Sequence, residues 1–126
     1  MGRQFGDQVV IEVATLPGKG DVQKPFFMQR DKRRGQKIID YFWRLSGSEL
    51  VLAGEWHTHP EAFPNLSQLD KSEAIISIEK NFYPLGFMVI VIISSEAVVK
   101  SWFGVCTDKG LSRIERTGYQ LWRDDK

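Results

Sequence analysis

Hydrophobic and polar positions in the first half of the chain predict two strands and a helix. The β-branched run at residues 9–15 predicts a strand, and a loop containing Pro and Gly follows it up to Asp21. A short apolar piece at residues 26–28 predicts an edge strand or an extended connector. Apolar residues spaced four and three apart in residues 32–45 predict a helix, which Gly47 would end.

The second half predicts a strand at residues 50–57 and a helix at residues 67–81, with Ile75, Ile78 and Phe82 as its core-facing stripe. Two more strands, at residues 87–94 and 97–105, would form a hairpin-like pair joined at Ser95-Glu96. The first of them is apolar throughout, which predicts a central strand buried on both faces. Residues 111–122 fit either a last strand or a short helix. The order of these elements predicts a mixed sheet with helices packed on it, in one α/β domain spanning residues 1–126.

Composition and charge narrow the class of protein. At 126 residues, with 42% hydrophobic and 26% charged residues, the chain matches an ordinary globular domain. Its net charge of +1 gives no electrostatic footprint for nucleic acid. The basic cluster at residues 30–34 includes Asp31, so we interpret it as a solvated helix start. The longest apolar run, at residues 87–93, is too short to span a bilayer, no signal peptide is predicted, and we expect no membrane partner.

Cys106 is the only cysteine, so no disulfide can form within the chain. This favours a cytoplasmic location. Because its neighbours are apolar, we expect Cys106 to be a small core residue and not a nucleophile.

Both histidines of the chain lie in one short stretch, at the end of the strand predicted for residues 50–57. Side chains alternate along a strand, so His57 and His59 point to the same face. Asp70 follows Ser67 by three residues, which places both side chains on one face of the first turn of a helix. Two imidazoles and a carboxylate, with a fourth position open, are the ligands that zinc uses in hydrolytic sites.

Other interpretations of these residues stay open. Ser67 and Asp70 also form the pattern of a helix capping box, in which each side chain bonds the other residue's backbone amide. The two histidines could equally be partly buried side chains without a metal. Trp56 lies between Glu55 and His57, and side chains alternate along a strand. It therefore points away from the face that carries the histidines, and we expect it to pack in the core.

The spacing H-x-H, seven residues, S, two residues, D resembles that of the JAMM (MPN+) metalloproteases, which cut isopeptide bonds after ubiquitin-like modifiers. The resemblance implies a cytidine-deaminase-like α/β/α MPN fold. It implies that His57, His59 and Asp70 are ligands of a catalytic Zn²⁺. It also implies that Ser67 donates a hydrogen bond to the developing oxyanion, a role worth roughly 3 kcal/mol where such donors have been removed.

Within that family the chain resembles a short bacterial branch. The shared patterns are Val-Ile-Glu-Val-Ala-Thr-x-Pro-x-x-Gly-Asp at residues 10–21, Gln-x-x-Ile-Asp-x-x-Trp at residues 36–43, and Gly-Glu-Trp-His-Thr-His-Pro at residues 54–60. This branch includes the deconjugating peptidases of CBASS antiphage operons. The implied substrate is an amide or isopeptide bond after the C-terminus of a protein, such as a cGAS-like nucleotidyltransferase, whose tail is held extended along a sheet edge.

The general base is the one part of the family site without an obvious counterpart. In JAMM enzymes it is a Glu on an early strand, shortly before a Gly-Gly-x-x-x-Gly segment. Gly2 to Gly6 resembles the end of that segment, so we expect the family Glu, and an N-terminal element of the fold, upstream of Met1. Of the carboxylates within the chain, Glu55 is the best geometric candidate, because it shares the strand face of His57.

Other roles for the acidic residues, and other functions, remain alternatives. Glu55 could instead support a ligand or face the substrate; Glu12 is out of register with the family position, and Glu61 is expected to be solvated. Without a base, the domain would be a silent MPN-type binding or scaffold module. A nucleobase deaminase is disfavoured, because one cysteine cannot supply a Pro-Cys-x-x-Cys pair. If the N-terminal element is missing, we expect reduced stability or self-association.

Overall fold

The computed structural model describes residues 1–24 and 27–114, without the side chains of residues 24 and 27–29. It is a mixed α/β structure, as predicted. In chain order its elements are β1 Gly2–Phe5, β2 Gln8–Ile11, β3 Val22–Lys24, β4 Phe27–Gln29, α1 Lys32–Leu45, β5 Gly54–Thr58, α2 Gln68–Glu79, β6 Met88–Ile93, a 3-10 turn Val98–Lys100, β7 Trp102–Thr107 and β8 Gly110–Arg113.

The main sheet has four strands in the order β5-β6-β7-β8 and is mixed, as the sequence predicts. β5 runs parallel to β6, with His57 opposite Ile92, and the other neighbours are antiparallel. Parallel neighbours need a crossover connection, and α2 supplies it. β6 is central, but its residues alternate between buried and half-buried. The prediction that both of its faces are buried is therefore wrong, because only one face carries fully buried side chains.

The core lies between α2 and the buried face of the main sheet. Ile92 and Cys106 are completely buried there, and the wider cluster is Leu66, Ala74, Tyr83, Met88, Ile90, Ile92, Trp102 and Cys106. The prediction of Cys106 as a core residue is confirmed. Burial raises the pKa of its thiol, which disfavours the reactive thiolate.

α2 begins and ends close to the predicted limits, but of the three residues predicted to face the core only Ile78 packs against it. Ile75 is 47% exposed and Phe82 56% exposed, whereas Ala74 is buried and Ile78 partly buried. The physical reason is the 3.6-residue period: Ala74 and Ile78 follow Asp70 by one and two turns, so they share its side of the helix. Orienting Asp70 inward therefore turns Ile75 outward.

The N-terminal region forms a hairpin that the sequence did not predict. β1 pairs antiparallel with β2, so the strand predicted for residues 9–15 ends at Ile11, where its partner strand begins at Gly2. Beyond that point the amide of Glu12 bonds the Met1 carbonyl at 3.0 Å. Gly2 also exchanges two backbone hydrogen bonds with Val51, at 2.9 and 3.0 Å. The strand predicted from residue 50 begins only at Gly54, because Val51 pairs with β1 instead.

α1 matches its predicted limits. Asp31 caps its start by accepting a hydrogen bond from the Arg34 amide at 2.8 Å, and Gly47 follows its end in the left-handed conformation. The basic cluster thus lies at a helix start, as predicted. No side chain of α1 is fully buried. Among the described helix residues, the fully buried one is Ala74 of α2. α1 therefore does not establish the second helical layer of an α/β/α fold.

The remaining strands settle two alternatives and correct one strand start. β4 pairs with β3, which confirms the edge-strand interpretation of that apolar piece. The strand predicted from residue 97 starts at Trp102, because the buried Ser101 hydroxyl accepts the Ser94 amide at 2.9 Å and a 3-10 turn fills the loop between them. β8 confirms the last-strand alternative up to Arg113, and residues 115–126 lie outside the described residues. Within the described part of the chain, no helix has the length and apolarity needed to cross a membrane.

Gly54 is required by the close approach of β5 to β6. A Cβ at this position would lie 2.1 Å from the carbonyl oxygen of Val89. We expect Gly54→Ala to lower the free energy of unfolding by about 1–3 kcal/mol, because the backbone must shift. Gly35→Ala is the matched control: a Cβ there meets only Arg30 at ordinary contact distance, so alanine should stabilise α1 by up to about 1 kcal/mol. Urea unfolding of both variants measures this, and equal effects would contradict it.

Candidate metal centre

The two histidines reach one side of the main sheet from the end of β5. His57 is on the strand and His59 just beyond it, where its amide bonds the Ile93 carbonyl at 3.2 Å. Trp56 points to the opposite side and is half-buried, and its indole nitrogen donates to the Thr15 carbonyl at 3.0 Å. The alternation predicted from the sequence therefore holds. His59 is 2% exposed, so its imidazole is held in a fixed, nearly dry position.

Asp70 reaches the same place from the first turn of α2. The Ser67 hydroxyl accepts the Asp70 amide at 3.0 Å, and the Asp70 carboxylate accepts the Ser67 amide at 2.9 Å. The capping-box interpretation is thus confirmed. It does not compete with a site at Asp70, because the box fixes the carboxylate with its oxygens toward the histidines.

Donor atoms of three side chains converge between β5 and α2. Nε2 of His57 lies 3.2 Å from Nε2 of His59 and 3.2 Å from Oδ1 of Asp70, and Nε2 of His59 lies 3.5 Å from the other oxygen, Oδ2 of Asp70. Bonds of 2.0–2.1 Å to a tetrahedral zinc would place ligand atoms about 3.3 Å apart. One ligand atom from each side chain lies within 4.8 Å of the others, so the three side chains can hold a single metal ion.

The charge of Asp70 suits a cation. Burial alone would raise its pKa, but hydrogen bonds from His57 and Ser67 outweigh burial and lower the pKa from 3.8 to about 2. The carboxylate is consequently ionised throughout the neutral pH range. A negative charge held beside two imidazoles favours a bound cation over an uncharged ligand.

Glu61 contacts the outer side of the histidine cluster. One carboxylate oxygen lies 3.5 Å from Nδ1 of His59, although the side chain is 44% exposed. The prediction of a solvated Glu61 is thus only partly right. A carboxylate behind a histidine ligand fixes the orientation and tautomer of the ring. The hint in the sequence was that Glu61 follows His59 by two residues, which is the spacing of side chains on one face of a strand. Both residues lie beyond the end of β5, however, where side chains no longer alternate regularly.

Neither of the other weighed carboxylates joins the converging donor atoms. Glu55 is exposed on the strand face of His57, and its carboxylate is near enough to the phenol of Tyr83 to influence it. Burial, and then the neighbouring Glu55, raise the pKa of Tyr83, so the phenol stays protonated. Glu12 accepts a hydrogen bond from Arg3 at 2.6 Å on the N-terminal hairpin. The contact between Glu55 and Tyr83 was missed, because 28 residues separate them and no local pattern connects them.

The chain was compared with known proteins. No protein-family model matches it. A CD-NTase/cGAS isopeptidase of Escherichia coli (strain TW11681) is 32% identical over 78 residues, which are 62% of this chain and 50% of that relative. The protein of the same name from Pseudomonas aeruginosa is 37% identical over 73 residues, 58% of this chain and 46% of the relative. The one from Vibrio cholerae serotype O1 is 36% identical over 75 residues, 56% of this chain and 46% of the relative.

The chain spans about half the length of the curated relatives it matches. Their identities to it, between 32% and 37%, lie over 56–62% of this chain. These matches confirm the resemblance of the chain to the bacterial branch of the CD-NTase/cGAS isopeptidases.

Proposed function

We propose that the protein is a zinc-dependent isopeptidase of the JAMM type, built as an MPN domain over residues 1–126. His57, His59 and Asp70 hold the metal in this proposal. The observation that carries it is the convergence of the two imidazole nitrogens and the Asp70 carboxylate, whose neighbouring atoms are 3.2–3.5 Å apart, close to the spacing of ligands on a tetrahedral zinc. The names of the curated relatives support isopeptidase chemistry over other uses of a zinc site.

The proposed substrate is an amide or isopeptide bond after the C-terminus of a conjugated protein. The names of the relatives point to a cGAS-like nucleotidyltransferase as that protein. From the resemblance to the CBASS peptidases we place this activity in bacterial antiphage defence, in the cytoplasm. A conjugate tail would be read in extended form, because a cleavable bond must reach the donor cluster at the end of β5.

Zinc at this position would supply a Lewis acid and an activated water at neutral pH. The residues of the chain prepare the surroundings. Asp70 is ionised and fixed by the capping box, and His59 is immobilised by burial. Ser67 lies at the start of α2 beside Asp70, and rotation of its hydroxyl can direct the proton toward a developing oxyanion.

Glu55 is the proposed general base within the chain, since it shares the strand face of His57. Its carboxylate does not join the donor cluster and lies near Tyr83, which favours a second candidate function. If Glu55 stays with Tyr83 and away from the reacting water, the domain binds metal and protein without turnover. The two functions differ in cleavage and not in metal binding.

A cleavage assay tests the proposal. The substrate is a fusion in which the C-terminus of a ubiquitin-like protein is joined to a lysine of a reporter. We expect the zinc-loaded protein to cut it, a chelator to stop the reaction, and Glu55→Gln to slow it by about 100-fold or more. Glu73→Gln, on the exposed side of α2, is the control and should be unaffected. Zinc binding without cleavage would support the silent module instead.

Ser67 allows its two roles to be separated by one substitution. Ser67→Ala should lower the free energy of unfolding by about 1 kcal/mol through loss of the cap. It should also lower kcat by about 100-fold or more through loss of the oxyanion donor. Ser72→Ala, one turn further along α2 and bonded only to the Gln68 carbonyl, is the matched control. A loss of stability with kcat unchanged would reduce Ser67 to a helix cap.

Glu61 should support metal binding through His59. Glu61→Gln keeps the size of the side chain and removes its charge, so we expect zinc affinity to fall by about tenfold. Titration against a chromophoric chelator measures the change, with Glu73→Gln again as control. Unchanged affinity would show that the 3.5 Å contact with His59 does not orient the ring.

A further inference from the structure

A cleft of about 720 Å³ opens next to the first turn of α2. Its walls come from the loop before α2, the first turn of α2, the start of β7 and the strand β8. Leu66 in one wall immediately precedes Ser67, and Lys71 in another immediately follows Asp70. The cleft therefore flanks the turn that carries Ser67 and Asp70.

The charged residues that line the cleft are all cations: Lys71, Lys100 and Arg113. Lys100 pairs with Glu96 outside the lining and lies 5.1 Å from the centre of the Phe63 ring. Among the described residues, no carboxylate lies within ion-pair distance of Lys71 or Arg113. Lys71 and Arg113 thus give the cleft positive charge that no described carboxylate pairs with, which favours an anionic occupant.

The floor of the cleft is apolar. Leu66 and Trp102 are buried at the end of the core cluster, and Leu111 packs against that cluster. Gly104 leaves room for the Trp102 indole, because a Cβ at position 104 would lie 2.2 Å from the ring. Cationic walls over an apolar floor match a polypeptide in which acidic side chains alternate with apolar ones.

We propose that this cleft binds an acidic, partly apolar segment of the conjugated protein and so contributes to substrate selection. The inference rests on the proposed isopeptidase function for its biological meaning, but the binding itself needs no metal. A polypeptide is favoured over nucleic acid because the protein has a net charge of only +1 and the floor is aliphatic as well as aromatic.

Fluorescence anisotropy with defined probes tests the inference on the full chain. The probe is a fluorescein-labelled peptide of alternating Glu and Leu, and the matched probe has Lys in place of Glu. We expect the acidic peptide to bind, more weakly as salt is raised, and the Lys peptide not to bind. Arg113→Glu and Lys71→Glu should each weaken binding by about tenfold, whereas Lys109→Glu, exposed in the turn before β8, should change it by less than about twofold.

Equal binding of the two peptides, or equal effects of Lys109→Glu and Arg113→Glu, would overturn the inference. Tighter binding of a labelled oligothymidylate than of the acidic peptide would overturn it in favour of nucleic acid. His57→Ala separates this inference from the proposed function, because it should abolish zinc binding and leave peptide binding intact. A thermal melt of each variant confirms that weakened binding does not come from unfolding.

Discussion

Replacing His59 by alanine will lower zinc affinity by more than about 100-fold and abolish cleavage of the isopeptide fusion. The loss should exceed the tenfold to hundredfold typical of residues that only support a ligand, because Nε2 of His59 is itself one of the three converging donors. Competition with a chromophoric chelator measures the affinity, and the cleavage assay measures the turnover.

The control for this variant lies on the same strand. Thr58→Ala changes an exposed residue between the two histidines that points to the other side of β5. It should leave zinc affinity within about twofold of the wild type. If His59→Ala binds zinc as tightly as Thr58→Ala does, the donor cluster of His57, His59 and Asp70 is not the metal site.

Ile92→Ala will lower the free energy of unfolding by about 3 kcal/mol, the largest loss of stability that we expect from a single side chain. Ile92 is completely buried in the central strand β6, with His57 and Trp102 as its neighbours across the sheet. Truncation leaves a cavity where α2 packs on the sheet, and the surrounding strands cannot collapse into it freely.

Ile75→Ala is the matched comparison, because it removes the same atoms from a side chain that is 47% exposed. We expect its cost to stay below about 1 kcal/mol. Urea unfolding of the two variants therefore tests the orientation of α2. Similar losses of unfolding free energy in the two variants would show that Ile75 faces the core, as the sequence predicted. In that orientation of α2, Asp70 would point away from the histidines.

Local patterns predicted the part of the site that depends on local geometry. The shared direction of His57 and His59 follows from the two-residue period of a strand, and the link between Ser67 and Asp70 follows from the first turn of a helix. The end of α1 was predicted from Gly47 in the same local way. Each of these features is decided within about one turn of helix or a few strand residues.

Features that depend on distant partners could not be predicted in this way. The apolar residues of α2 surround much of the helix, so the choice of Ala74 over Ile75 as the buried residue depends on where Asp70 must point. The early end of β2 depends on β1, and the contact of Glu55 with Tyr83 depends on how α2 returns to β6. The spacing of hydrophobic residues along the chain does not determine these tertiary contacts.

X-ray absorption at the zinc edge, on the protein loaded with one equivalent of zinc, tests whether His57, His59 and Asp70 hold the metal. We expect four light ligand atoms at about 2.0–2.2 Å, two of them imidazole nitrogens, and no sulfur. His59→Ala should lose one imidazole from that spectrum or fail to retain the metal. A sulfur ligand near 2.3 Å, or a spectrum unchanged in His59→Ala, would place the zinc elsewhere and contradict the assignment of His57, His59 and Asp70.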